Sequence, residues 1–274
     1  MYQRNSAPFF SAPFLVFAGV PLLHAILATG AISISVSTLP TLTLVIPCYN
    51  PRAGWHLHLA EQLSAMQVAL AQEVAVVGVV IVNDGSHTEL GADLLTPISD
   101  TGVPAQMLAY SPNRGKGHAL RTGVAATRSE LVVYTDIDFP YTQASMLAIC
   151  RALLAGADVA AGVRPAAYYA QVPWFRKRLS LSFRWLLKRS LRLAISDTQA
   201  GIKGFNAKGK TQFLRTTIDR FLFDLEFIYN SSQQKDMVVK AVDVDLRPGI
   251  TFSRMSTKVL ATELLNFLKL LLRR

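Results

Sequence analysis

The chain has 274 residues, enough for one large domain or two small ones and for a substantial core. Apolar residues make up 51% and charged residues 17%, against about 25% charge in an average soluble domain, which excludes disorder as the main state. The 28 Lys and Arg exceed the 18 Asp and Glu by 10, so the chain is expected to meet an anionic surface, lipid or nucleic acid. A polytopic membrane protein is excluded as well, because after residue 40 no uncharged apolar run reaches 18 residues.

Residues 1–40 are expected to be a hydrophobic N-terminal segment. Residues 12–37 carry no Lys, Arg, Asp or Glu, and about 20 apolar residues suffice to cross a bilayer. A signal anchor or single membrane helix is the leading expectation. A cleaved signal peptide and an interfacial extension are the alternatives, since Gly19, Pro21 and Gly30 weaken a continuous helix.

From residue 41 the pattern becomes α/β. Short apolar, β-branched runs at 41–47, 74–82, 106–110, 131–135 and 159–163 predict strands. Helical spacing covers 53–71, 118–127 and 145–155. Alternating strands and helices imply a mostly parallel sheet with helices on both faces. Asn50, Asp84, Asp136 and Asp138 fall just past strand ends, the edge where open α/β sheets bind ligands.

Residues 172–195 differ. Eight Arg or Lys and no acid lie between Val159 and Ser196, interleaved with Trp, Phe and Leu. That is the composition of helices lying in a membrane interface. A core-packed helix with a solvated basic face is the alternative; no nucleic-acid motif accompanies the charge. The tail, 251–274, is expected to be an amphipathic helix. Cys48 and Cys150 are far apart and are expected to be buried free thiols in a reducing compartment. His56 and His58 are expected on a helix surface, with no third residue spaced for a metal.

Several strings carry chemistry. Asp136-Ile137-Asp138 follows the strand at 131–135, and two carboxylates there can jointly present oxygens to a divalent cation; a turn with a capping Asp is the alternative. Asn83-Asp84-Gly85-Ser86 can contact a nucleoside or form an ordinary turn. Asn113-Arg114-Gly115-Lys116-Gly117 sets a Lys between glycines before a helix, suited to a phosphate, although it is not the P-loop pattern. Asp224 and Glu226 follow the basic stretch as further carboxylates, open to a catalytic role or to capping and ion pairing within the core.

Taken in order, Val45-Ile46-Pro47-Cys48-Tyr49-Asn50, Asn83-Asp84-Gly85-Ser86, Asn113-Arg114-Gly115-Lys116-Gly117 and Asp136-Ile137-Asp138 resemble the family 2 inverting glycosyltransferases. The later Asp197-Thr198-Gln199-Ala200-Gly201-Ile202-Lys203-Gly204-Phe205 resembles the polyprenyl-phosphate branch, the dolichyl-phosphate glucosyl- and mannosyltransferases and their bacterial relatives. The resemblance covers residues 41–250. It implies the nucleotide-sugar-binding glycosyltransferase A-type fold, with amphipathic membrane-interface helices added. It implies that Pro47, Tyr49, Asn50, Asp84, Lys116 and Asp136 bind the nucleotide sugar, with a UDP-sugar favoured over a GDP-sugar. Asp136 and Asp138 would hold Mg²⁺ or Mn²⁺, and Arg164, Arg178 and Ser182 the acceptor phosphate. The expected catalytic set is Asp136, Asp138, Arg178 and Asp224.

Mannosyl members often read D-A-D-L-Q, the Gln being another metal ligand. Pro140 stands at that place here, which, with the Asp-Thr-Gln string, favours the glucosyl members. The expected activity is therefore metal-dependent transfer of a hexose, glucose favoured, to a polyprenyl phosphate with inversion. It is expected at the cytoplasmic face of a membrane, with self-association left open and no nucleic-acid partner. The alternatives are a family 2 enzyme acting on a polysaccharide or another lipid, and a non-catalytic membrane-surface protein of the same fold.

Overall fold

The computed structural model describes residues 39–165, 178, 193, 195, 197–248 and 267. The expected N-terminal anchor, most of the interface stretch (Ser182 included) and nearly all of the C-terminal helix lie outside these residues. Among the described residues, no helix is long and apolar enough to cross a membrane.

The described strands are β1 (Thr41–Cys48), β2 (Ala75–Asp84), β3 (Ala105–Tyr110), β4 (Leu131–Tyr134), β5 (Val159–Val163), β6 (Lys203–Phe205) and β7 (Val239–Asp243). The helices are α1 (Trp55–Leu70), α2 (Thr96–Ser99), α3 (Lys116–Ala126), α4 (Gln143–Leu154), α5 (Ala207–Leu214) and α6 (Phe223–Ser232). The strands form one sheet in the order β3-β2-β1-β4-β6-β5-β7. Every described pairing is parallel except those of β6, which runs antiparallel between β4 and β5. The expected mostly parallel sheet is therefore present, and β6 and β7 extend it beyond the five strands legible in the sequence.

Alternation along β1 explains the two-sided core. Leu42, Leu44 and Ile46 join Leu59, Leu63 and Met66 of α1 and Ile149 and Leu153 of α4 on one face. Val45 points the other way, toward Ala119, Leu120 and Val124 of α3 and an aromatic group of Phe205, Phe213, Phe223 and Phe227. Opposite faces for successive residues is the strand's period of two. Each fully buried Leu, Val or Phe contributes about 1.5–3 kcal/mol. Cys48 and Cys150 are free and buried, and burial pushes both thiols up to about 12.

Because β1, β2, β4 and β5 run in one direction and β6 in the other, their C-terminal ends and the entry to β6 share one sheet edge. That edge gathers Tyr49, Asp84, Asp136, Arg164 and Gly201.

Candidate active site

Asp84, the last residue of β2, is buried. Its carboxylate accepts hydrogen bonds from Asn113 Nδ2 at 2.8 Å, the Arg114 amide at 2.7 Å and the Gly115 amide at 2.9 Å. Asp84 thus organises the 113–115 loop. Asn83 Oδ1 accepts from the Ser86 amide at 3.0 Å, so turn chemistry is also present. The exit of β1 is tied to the same turn. Asn50 adopts φ 46°, its amide donates to Ser86 Oγ at 2.9 Å, and its side chain accepts from the His87 amide at 2.9 Å. Tyr49 is exposed and meets His87 edge-on, ring centres 5.9 Å apart. Pro47 lies within β1.

The 113–115 loop delivers Lys116 at the first position of α3. The start of that helix is closed from far along the chain: the Asp219 carbonyl accepts from the Gly117 amide at 2.7 Å and the His118 amide at 3.2 Å. A side chain on Gly117 would place its Cβ 2.5 Å from the Ile218 carbonyl oxygen. The 217–219 loop is in turn set by Glu226, whose buried carboxylate accepts from the amides of Thr217 and Ile218, both at 2.8 Å. Glu226 is therefore a core carboxylate that organises a loop, rather than a helix cap.

Lys116 Nζ forms an ion pair with Asp136. Burial disfavours the Lys116 ammonium, but Asp136, Asp224 and Asp138 outweigh it and hold its pKa above the ordinary value. Past Asp136 the chain makes a tight turn: the Phe139 amide donates to the Asp136 carbonyl at 3.0 Å, and buried Phe139 sits at φ 45°. Left-handed backbone at a bulky residue is strained. Here it presents Asp138 outward, and Arg247 Nη2 donates to the Asp138 carbonyl at 2.7 Å. Partial loss of water around the carboxylate, then the adjacent charge of Asp136, raises the Asp138 pKa above the ordinary carboxylate value.

Two neighbouring carboxylates, one of them destabilised by the other, suit a hard divalent cation. Among the described residues no group of three His, Cys, Asp or Glu could hold a metal alone. A cation here would complete its shell with substrate phosphates and water, as Mg²⁺ commonly does. The donor set fits that group.

The floor of the site is the entry to β6. Gly201 lies against the ion pair: a Cβ there would collide with Asp136 Oδ2 and stand 3.3 Å from Lys116 Nζ. The Gly201 amide donates to Tyr141 Oη at 2.7 Å, and Lys203 Nζ donates to the Ala200 carbonyl at 2.8 Å. Lys203 is fully buried and pairs with Asp224 at 2.7 Å, while Tyr134 Oη also donates to Asp224. Burial pushes the Lys203 pKa down in spite of Asp224. Asp224, expected among the catalytic groups, thus stands behind the site as a buried ion-pair partner; a helix places it beneath β6 rather than at the sheet edge.

Arg164, expected on the acceptor phosphate, is joined to Asp197 by its amide (2.8 Å), Nε (2.9 Å) and Nη2 (2.7 Å). Asp197 is 1% exposed, and a buried carboxylate needs such a partner. Arg178 is helical and exposed. The structure thus brings together Asp84, Lys116, Asp136 and Asp138 with Tyr49 and Asn50 along one edge. It adds Tyr141, Lys203, Asp219 and Arg247, to which sequence reasoning gave no role. Lys203 had one signal: a lysine in a run of Gly, Ile and Phe.

Residues 43–212 match the model of the family described as Glycosyl transferase family 2. The chain is 26% identical over 210 residues to the Dolichyl-phosphate beta-glucosyltransferase of Homo sapiens, covering 69% of this chain and 62% of that protein. It therefore spans less than two thirds of that relative. It is 26% identical over 155 residues to the Undecaprenyl-phosphate 4-deoxy-4-formamido-L-arabinose transferase of Sodalis glossinidius (strain morsitans), covering 57% of this chain and 45% of that protein. Among solved structures, mannosyl-3-phosphoglycerate synthase from Rubrobacter xylanophilus is similar with a TM-score of 0.53 at 12% identity, over 86% of this chain and 74% of that one. That likeness is one of fold.

Proposed function

This chain belongs to glycosyl transferase family 2 and has the glycosyltransferase A-type α/β fold, and from that premise we propose that it transfers a hexose, glucose favoured, from a nucleotide sugar to a polyprenyl phosphate. The observation that carries the reading is the Lys116–Asp136 pair beside outward-facing Asp138 at the ligand-binding edge of the sheet. The names of the dolichyl-phosphate and undecaprenyl-phosphate relatives support the acceptor class.

Asp136 and Asp138 would hold Mg²⁺ or Mn²⁺, which when bound supplies positive charge to the donor's diphosphate. Lys116 holds a cationic donor within reach of the same group. Tyr49, Asn50 and the loop organised by Asp84 line the place for the nucleoside, with UDP favoured. The acceptor phosphate is largely dianionic near neutrality, its second pKa being about 6. Its oxygen attacks the anomeric carbon, the bond to the diphosphate oxygen breaks, and the nucleoside diphosphate leaves with that electron pair. No proton needs to move, and attack from the face opposite the leaving group inverts the centre. Arg178 and Ser182 are assigned to the acceptor phosphate. Arg164, held at Asp197 through Nε and Nη2, is assigned to the acceptor phosphate with them. The reaction is assigned to the cytoplasmic membrane face.

The test is a screen of UDP- and GDP-sugars against a short polyprenyl phosphate, with Mn²⁺ and with EDTA. Cation-dependent formation of a polyprenyl-phosphate sugar supports the reading. Transfer only to a polysaccharide or another lipid, or no transfer from any donor, overturns it.

A further inference from the structure

We propose that Lys203 is a positioning residue: by holding the Ala200–Gly201 peptide against Asp136, it sets the geometry of the carboxylate that meets the donor diphosphate. The inference rests on the reading of Asp136 as a donor-site carboxylate.

Lys203 lies in β6 directly across from Tyr134, the last residue of β4, two residues before Asp136. It has no exposed surface. A buried ion pair is a poor source of stability, since an apolar side chain of similar volume commonly does as well. The surroundings would accept one: Tyr134 and Phe205 belong to the aromatic group on this face of the sheet. What an apolar side chain could not do is reach the Ala200 carbonyl, which Lys203 binds at 2.8 Å.

That carbonyl belongs to the peptide whose amide is the Gly201 N–H. Tyr141 takes the amide at 2.7 Å while Lys203 takes the oxygen, so the peptide is pinned at both polar atoms. Gly201 then contacts the ion pair with no room for a single methyl group between them. A displacement of the peptide by a few tenths of an ångström is therefore passed to Asp136 directly. Asp224 anchors the ammonium from below at 2.7 Å, which fixes where its remaining hydrogens point.

Two full-length variants test this. Lys203→Met alone would leave Asp224 buried without its cation, so it is combined with Asp224→Asn, which removes the charge and keeps an acceptor for Tyr134. Gly201→Ala displaces Asp136 from the other side and leaves the buried pair intact; Gly201 is outside the left-handed region, so alanine is tolerated by the backbone. Each is compared with wild type by thermal melting, by calorimetric binding of UDP and of GDP in the presence of Mn²⁺, and by turnover.

The expected result is a melting temperature close to wild type with nucleotide binding weakened about tenfold or more, the scale of one lost hydrogen bond from a charged donor. Wild-type binding and turnover in a folded K203M/D224N variant would mean that Lys203 only neutralises Asp224, and overturns the inference. If that variant does not fold, Gly201→Ala decides whether this peptide sets Asp136: normal binding overturns the inference, and weakened binding supports the peptide–Asp136 contact on which it rests. Wild type that binds neither nucleotide overturns the donor-site reading, and the inference with it.

Discussion

Asp84 holds Gly115: the carboxylate at the end of β2 accepts the Gly115 amide at 2.9 Å, one residue before the helix that carries Lys116. The same carboxylate takes the Arg114 amide and the Asn113 side chain, so a single acid sets a loop about thirty residues away in sequence. Asp84→Ala leaves the buried Gly115 amide without this acceptor and releases the Arg114 amide, while Asn113 keeps only the residue-84 carbonyl. It is expected to destabilise the fold by about 2–4 kcal/mol, read from urea unfolding, and to raise the Michaelis constant for the nucleotide sugar. A variant with wild-type stability would show that the loop is held by other contacts.

Asp138 behaves in the opposite way. Partial loss of water and Asp136 disfavour its charge, so Asp138→Asn relieves strain in the cation-free protein. The expected melting temperature in EDTA is equal to or above wild type, while turnover with Mn²⁺ falls by about a hundredfold or more. Near-normal turnover would remove Asp138 from the cation site.

Gly117 permits the close crossing of α3 and the 217–219 loop. In Gly117→Ala the Cβ would meet the Ile218 carbonyl oxygen at 2.5 Å and the Phe223 Cβ at 2.8 Å, both parts of a rigid framework. Overpacking of this kind costs about 1–3 kcal/mol. Equilibrium unfolding should show that loss, and the Asp219 cap on α3 should weaken with it, seen as faster amide exchange at Gly117 and His118.

Asp158 gives the fold an acid-sensitive element far from the site. Burial opposes its charge, but the Val238 amide at 2.8 Å, Asn206 Nδ2 at 2.7 Å and the charge of Lys208 together hold its pKa below the ordinary value. A depressed carboxylate contributes stability above its unfolded pKa, and that contribution is lost as pH falls through the folded one. The stability difference between wild type and Asp158→Asn should therefore be largest above about pH 4 and shrink below it. A difference independent of pH would assign the loss to hydrogen-bond geometry alone.

The parts of this protein legible in the sequence are those fixed by neighbours along the chain. The five strands read from apolar runs are present because buried parallel strands need no alternation to be recognised. Asp84, Asp136 and Asp138 were findable because each follows such a run. What was hidden depends on partners far away. The spacing placed the start of α3 at His118, but the helix begins at Lys116, because the Asp219 carbonyl closes its first turn. β6 has three residues with a lysine among them and no strand pattern of its own; β4 and β5 on either side impose it. Asp224 looks like any acid until Lys203 and Tyr134 are seen against it. Arg164 looks like an available cation until Asp197 is seen beside it.

The Arg164–Asp197 clasp has a consequence for how the molecule can vary. These two residues bracket the basic, apolar stretch, so the chain leaves the sheet and returns to it at one fastened point. Lengthening a loop closed at its base adds an entropic penalty that grows only with the logarithm of its length. Near the returning end, Leu193 and Ile195 are buried with the aromatic group on one face of the sheet. Insertions between residues 165 and 192 are therefore expected to cost the fold little, so long as the clasp and these two core residues are kept.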